Sequence, residues 1–577
     1  MSGDYSLVIR GGTVIDGTGA DPIRADVGIS GGRIVDVGPN LSRGEAEIAA
    51  EGKLVTPGFV DIHTHYDGQA MWDSHMAPSS WHGVTTAVMG NCGVGFAPVR
   101  ARDRDRDRLI ELMEGVEDIP GPALHESLDF NWESFADYMD VLERRPRDID
   151  LCAQLPHAAL RVYVMGERAT RLEDATATDI AVMRGLAAEA MRAGAFGFTT
   201  SRTISHRTVA GDPTPTLRAT EAELTGIAMG LHDAGAGMLE LVSDWNEPDP
   251  ATEFAMVRRI VQACGRPLVF SLNQRHDRTG AWRELLAMSD QAAAEGLPIR
   301  PVFPPRPIGI LLGLQGSQNP FSGCPSYRAI EHLPLPERVR AMHDPAVRAR
   351  ILGEDRFALS TFPLLARLSW ERMFPFGDPP DYEPPRESSV AALAAAQGRS
   401  AAQVAYDQML QDEGRSFILA ALVNYADYNL DPCAEMLRHR NTLVGLGDGG
   451  AHVGFISDGS FPTHLLTYWG RDRTHDRFPL PELIRRQTSD TAHAVGLFDR
   501  GVIAPGLKAD LNMIDFDRLA LDRPYMVHDL PAGGRRLMQK ARGYTATVVS
   551  GVVTYRDGTA TGALPGVLVR GTQAARA

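Results

Sequence analysis

His63 and His65 stand two residues apart in Pro57-Gly-Phe-Val-Asp-Ile-His-Thr-His-Tyr-Asp67, directly after the apolar Phe59-Val60 and Ile62. Alternate residues of an extended strand point the same way, so both imidazoles leave one face together. At the C-terminal mouth of a parallel barrel, that pair offers two nitrogen ligands to one metal ion. Cys92 lies in Met89-Gly-Asn-Cys-Gly-Val-Gly95, just past the β-type run 85–89. A thiolate among glycines approaches a cation closely, and sulfur is a strong zinc ligand. A lone cysteine is also a common small buried hydrophobe, and both readings stand on this motif alone. Asp448 in Gly445-Leu-Gly-Asp-Gly-Gly-Ala-His452 follows another apolar run. Its carboxylate can hold metal-activated water and take the proton, or simply serve an Asp-Gly turn. His452 shares that loop, either facing a substrate or packing.

These residues need elements that bring distant strand ends together. From 58 to 500 the chain alternates short apolar runs with amphipathic stretches. The strand candidates are the opening run at 59–62, then 85–89, 150–154, 195–198, 237–242, 267–271, 299–302 and 442–446. Helical stretches at 179–193, 221–234 and 282–295 fall between them. Eight strands with intervening helices predict an α/β chain folded as a (β/α)8 barrel of the TIM type. Residues 5–55 hold short β-type runs between Gly and Asp turns, and 509–515 and 544–555 mirror them. We therefore expect a small β-sandwich built from 1–57 and 501–577, with the barrel spanning 58–500. Between about 303 and 440 prolines accumulate and the periodicity loosens. That stretch reads as an insertion packed over the strand C-termini, shaping the substrate pocket with apolar residues from 308–312. The alternating run Arg102-Asp-Arg-Asp-Arg-Asp-Arg108 reads as a solvated, salt-bridged surface.

Composition narrows the classes. The 577 residues are 44% hydrophobic and 23% charged, ample for a large core. A net charge of −15 argues against nucleic acid or an anionic membrane as partner. No basic, apolar leader and no membrane-length apolar run is visible. The cysteines, at 92, 152, 264, 324 and 433, are scattered and odd in number, pointing to a reducing cytoplasm rather than a disulfide framework. The expected partner is a small-molecule amide; oligomeric state, a homo-oligomer included, is left open.

Pro57 to Asp67, Pro78-Ser-Ser-Trp-His-Gly-Val-Thr-Thr86, Gly90-Asn-Cys-Gly-Val-Gly-Phe-Ala-Pro98 and Gly501-Val-Ile-Ala-Pro-Gly-Leu-Lys-Ala-Asp510 resemble the amidohydrolase superfamily, and within it the D-aminoacylase (N-acyl-D-amino-acid deacylase) group. The resemblance runs through Asp510 and is strongest over 56–100. It implies a metal-bearing barrel with a terminal β-sandwich and an inserted segment over the site. It also implies His63, His65 and Cys92 as metal ligands, and Asp448 as the water-activating aspartate; nitrogen, sulfur and carboxylate together suit zinc, so His63, His65, Cys92 and Asp448 are expected to hold it. Many members bridge two metals with a carboxylated lysine on a middle strand. Lys53, Lys508 and Lys540 are the only lysines, and none is expected in the barrel interior, so Cys92 is the natural substitute.

Two departures matter. The group carries histidines at the ends of its fifth and sixth strands, where this chain reads Gly237-Met-Leu-Glu-Leu-Val-Ser-Asp244 and Phe270-Ser-Leu-Asn-Gln274. Glu240, Asp244 or Asn273 is left to supply oxygen, and one zinc ion is expected rather than two. The Arg-bearing stretch after the aspartate is replaced by Phe461-Pro-Thr-His-Leu-Leu-Thr-Tyr-Trp-Gly-Arg471, which bears on substrate class. The expected function is metal-dependent hydrolysis of an amide C–N bond, with deacylation of an N-acyl amino acid or related N-acyl amine as its concrete form. A cyclic amide is the alternative substrate, and a non-catalytic binding barrel the alternative class.

Overall fold

Gly58 is the joint between two sheets: Leu54–Pro57 precedes it and Phe59–Asp61 follows. A Cβ at this position would lie 2.1 Å from Thr85 Oγ1, so only glycine lets the chain pass. The computed structural model describes residues 4–246, 249–359 and 368–572.

On the N-terminal side of the joint, Tyr5–Val14, Ile23–Ser30, Arg33–Gly38, Gly44–Ala49 and Leu54–Pro57 come from one end of the chain. Leu511–Ile514, Tyr544–Val549, Val552–Arg556 and Thr559–Ala560 come from the other. The two sets meet where Val55 pairs antiparallel with Met513. Their inward positions, including Leu7, Ile9, Val27, Val55, Leu511 and Val548, form one apolar cluster. Each such side chain contributes roughly 1.5–3 kcal/mol by leaving water.

Beyond the joint, eight parallel strands follow: β1 (Phe59–Asp61), β2 (Val84–Met89), β3 (Asp150–Ala153), β4 (Gly197–Arg202), β5 (Met238–Ser243), β6 (Leu268–Ser271), β7 (Ile299–Phe303) and β8 (Leu443–Val444). β1, β2 and β3 pair in order; the chain breaks at Gln154 and resumes as Leu155–Pro156, which pairs with β4. The remaining pairs run in sequence to β8 beside β7. A parallel bridge between Thr64 and Gly449 closes the ring. Val60, Ile62, Val88, Cys152, Met238 and Val302 fill the interior, so Cys152 is packing.

Five helices are relevant outside the ring: α1 (Asp103–Glu117), α2 (Ala177–Arg192), α3 (Glu221–Ala234), α4 (Pro250–Cys264) and α5 (Ala281–Ala294). α2 starts in a capping box between Thr176 and Asp179, and Thr220 caps α3, which fixes where each begins. The charged run at 102–108 opens α1, where Arg104 pairs with Glu167 and Arg106 lies 3.8 Å from Asp103. The expected (β/α)8 barrel with its terminal sandwich is the observed architecture. β8 is shorter than the expected 442–446 because Leu446 takes a left-handed φ of 62° and turns the chain towards Asp448.

The insertion between β7 and β8 has a core of its own. Ile308–Gly313 and Met373–Phe376 flank Phe417–Val423 in an antiparallel sheet. Helices Leu335–His343, Pro345–Gly353, Val390–Gln397 and Ala401–Gly414 pack around it. Residues 360–367 of the insertion lie outside the described residues. It grips loops at the C-terminal ends of the strands: Asn424 N donates to Gln274 O (2.8 Å), Leu311 N to Phe455 O (2.7 Å) and Ser317 N to Gly454 O (3.0 Å). One expectation is corrected here. The apolar run 308–312 does not line the pocket; Ile310 and Leu312 pack into the insertion's own core, and Leu311 joins Phe376, Phe417 and Leu419 on the other face. Side chains on successive strand residues point to opposite faces, and both faces of this strand are covered. No helix among the described residues is long and apolar enough to cross a membrane.

Candidate metal centre

The first loop of the site leaves β1. Asp61 Oδ1 accepts from His63 N (3.1 Å), Thr64 N reaches Val88 O (3.0 Å) and His65 N reaches Gly449 O (2.8 Å). This backbone splint continues the strand for two histidines beyond β1. Their rings come to 5.4 Å between centroids.

Cys92 arrives from β2 through a tight turn. Gly90 and Gly93 have φ of 85° and 70°, and Cys92 itself is left-handed at 56°. That conformation costs a non-glycine residue of the order of 1 kcal/mol and is retained where a side chain must be aimed. Asn91 Nδ2 donates to Thr64 O (3.1 Å) and Val88 O (2.9 Å), locking the cysteine turn to the histidine loop. Asp448 is likewise left-handed, at 46°, with its N donating to His63 O (3.0 Å).

The side chains converge. Ligand-type atoms of His63, His65 and Cys92 all lie within 4.8 Å of one another, and all three residues are buried. His63 Nε2 is 3.4 Å from Cys92 Sγ and 3.3 Å from Asp448 Oδ1. His65 Nε2 is 3.6 Å from the same oxygen. Behind the rings stand two further carboxylates: Glu240 Oε1 is 3.9 Å from His63 Nδ1, and Glu117 Oε1 is 3.3 Å from His65 Nδ1.

The charge balance favours a cation. Burial, with His65 and His452 adding to it against Asp448, lowers His63 to about 4 and keeps its ring neutral. Burial also opposes protonation of His65, but Glu117 and Asp448 outweigh it and lift His65 to about 9. Burial pushes Glu240 up to about 8, helped by Asp448 and Glu117, and drives the Cys92 thiol well above its ordinary value. Asp448 is held below the usual carboxylate range despite burial, because His65 and His63 face it. Both ring nitrogens of His65, both oxygens of Glu117 and Glu240 Oε1 are buried without a well-formed hydrogen bond. Buried charges and polar atoms of this kind call for a partner or a metal. Nitrogen, thiolate and carboxylate donors together fit a zinc-like ion.

The residues named from sequence divide clearly. Of the three that replace the group's later histidines, Glu240 reaches the site, its Oε2 accepting from Cys92 N (3.2 Å). Asp244 does not; it accepts from Thr203 Oγ1 and Ile204 N, both at 2.8 Å, and shapes the loop after β4. Asn273 Oδ1 is buried without a hydrogen-bond partner. His276 sits in the same loop, where burial and Arg372 lower it to about 4. His452 turns its Nε2 to Glu117 Oε2 at 3.5 Å and stacks on Phe455. Phe461–Thr467 forms a buried helix, with His464 against Tyr382 and Tyr468. Glu117 was not anticipated. Its signal is present, since it extends the buried Leu109, Met113 stripe of α1 by one more turn, an odd place for a carboxylate.

Residues 46–555 match the model of the amidohydrolase family. The chain belongs to that family. Among its relatives, the D-aminoacylase of Alcaligenes xylosoxydans xylosoxydans is 28% identical over 583 residues, covering 99% of this chain and 98% of the relative. The N-acyl-D-glutamate deacylase of the same organism is 28% identical over 90% of this chain and 88% of its own. The solved N-acyl-D-glutamate deacylase of Bordetella bronchiseptica, complexed with zinc and a phosphonate inhibitor, superposes with a TM-score of 0.62 at 23% identity, over 98% and 99% of the two chains. As an amidohydrolase, the chain thus shares this fold from end to end.

Proposed function

We propose that this chain is a metal-dependent deacylase that hydrolyses the amide bond of N-acyl amino acids, with N-acyl-D-amino acids as its substrates. The observation that carries the reading is that ligand-type atoms of His63, His65 and Cys92 lie within 4.8 Å of one another, with Asp448 Oδ1 3.3 Å from His63 Nε2 and 3.6 Å from His65 Nε2. The full-length similarity to D-aminoacylase and N-acyl-D-glutamate deacylase supports the substrate class. We assign one zinc ion to His63, His65, Cys92 and Asp448.

Such an ion, when bound, polarises an amide carbonyl and lowers the pKa of water towards about 7. The chain's residues supply the rest. His63 is neutral at neutral pH and presents a free lone pair. Asp448 is ionised, so its carboxylate is ready to accept a proton from the attacking water. The leaving nitrogen must be protonated before it departs, and the same carboxyl can return the proton, acting as base and then acid. The insertion holds the loop past Asp448, with Leu311 N donating to Phe455 O and Ser317 N to Gly454 O.

Zinc-reconstituted protein incubated with N-acetyl-D- and N-acetyl-L-amino acids should release free amine from the D series. Asp448→Asn should slow that release by roughly a hundredfold or more, the scale of a lost general base. Release from a cyclic amide alone, or near wild-type turnover by the zinc-loaded Asp448→Asn protein, would refute the reading.

A further inference from the structure

Glu117 is a carboxylate in the wrong place for a helix face. Its side chain is 1 % exposed, and the only cationic groups within ion-pair distance among the described residues are two imidazoles. Oε1 lies 3.3 Å from His65 Nδ1, and Oε2 lies 3.5 Å from His452 Nε2. The chain around it is fixed from both sides. Glu117 O accepts from His452 N, which ties the end of α1 to the loop that carries Asp448. The next residue, Asp118, turns left-handed at φ 50° and faces the other way. There it accepts from Ser317 Oγ (2.9 Å) and Gly454 N (3.0 Å), so the insertion holds the same helix end.

An imidazole binds a metal through one nitrogen, and its other nitrogen must then carry the proton. A carboxylate accepting that proton fixes the tautomer and the ring plane and raises the basicity of the ligating nitrogen. His65 has this arrangement, with Nε2 towards Asp448 Oδ1 (3.6 Å) and Nδ1 towards Glu117.

We propose that Glu117 is a positioning residue of the metal centre: it accepts the Nδ1 proton of His65, directs Nε2 at the metal, and through its second oxygen holds His452 beside the mouth. The proposal rests on the metal reading given above. It assigns work to a residue of α1, an element outside every motif by which this chain resembles its family.

The test uses full-length protein, chelator-competed zinc binding and the visible spectrum of the cobalt-substituted form. Glu117→Asp, too short to reach Nδ1, should bind zinc 10- to 100-fold more weakly and shift the cobalt bands. Glu117→Gln retains an oxygen that accepts the same proton, and should recover most of the affinity and the wild-type spectrum. Asp118→Asn, next in the chain but turned to the insertion, should melt lower and bind zinc as wild type does. Wild-type affinity and an unchanged cobalt spectrum in Glu117→Asp would overturn the proposal while leaving the metal reading intact. A wild-type protein that takes up no zinc would bring down both, and the two failures are told apart by that control alone.

Discussion

A proton and a metal ion compete for the same lone pair at His65. In the metal-free protein, Glu117 and Asp448 lift this imidazole from 6.5 to about 9 against the effect of burial. A folded-state pKa above the unfolded one stabilises the fold below the unfolded value and is lost as pH rises through the folded value. The rise corresponds to roughly 3 kcal/mol. Glu240, raised by burial from 4.5 to about 8, acts in the same direction over its own range of about pH 4.5 to 8 and so adds to the lower part of the His65 range. Metal-free protein should therefore lose stability between about pH 6.5 and 9, while zinc, by displacing the proton, should flatten the curve. Denaturant titrations of the two forms across that range measure it directly. Parallel curves would show that the His65 proton and the zinc do not share a site. At this scale the sequence was informative where chemistry is packed into a short motif. His63 and His65 are two residues apart, Cys92 follows a strand, and Asp448 sits in a glycine loop. Glu117 escaped because its one signal, a carboxylate continuing the buried Leu109 and Met113 stripe, points to no partner until the fold of α1 puts it against His65.

Among the elements, the barrel strands were legible because each is a short apolar run, and α2 and α3 because they are amphipathic stretches between such runs. The insertion sheet was not legible. Ile308–Gly313 pairs with Phe417–Val423 across a long proline-broken stretch, and no local periodicity announces a partner so distant. The start of β3 also holds what no pattern reveals. Asp150 is fully buried and receives Arg500 Nη1 at 2.6 Å and Lys508 Nζ at 2.8 Å, both from the segment that returns to the sandwich. Asp150 is held below its usual range, burial being outweighed by Lys508 and Arg500. Removing one charge of a buried set leaves the others uncompensated, at about 3–5 kcal/mol. Asp150→Asn should lower stability by that order while zinc content per chain is unchanged, because the network lies at the strand starts and the metal residues follow strand ends. Loss of zinc without loss of stability would contradict this division of labour.

Over the whole molecule, the barrel and the insertion meet around one loop pair, the segment after β1 and the segment after β8. The Thr64–Gly449 bridge closes the ring, and the same two segments carry His63, His65 and Asp448. Barrel closure and assembly of the centre are thus one structural event. The insertion then clamps Gly454 and Phe455, immediately past Asp448 and His452. In our reading these convergent side chains hold one catalytic metal ion. The most direct test is elemental analysis of zinc per folded chain, for wild type and for Cys92→Ala, paired with release of free amine from an N-acyl-D-amino acid. One zinc per wild-type chain, lost together with turnover in a Cys92→Ala protein that still folds, is the predicted result. Two fully occupied ions per wild-type chain, or a Cys92→Ala protein that is less stable yet zinc-replete and active, would contradict it.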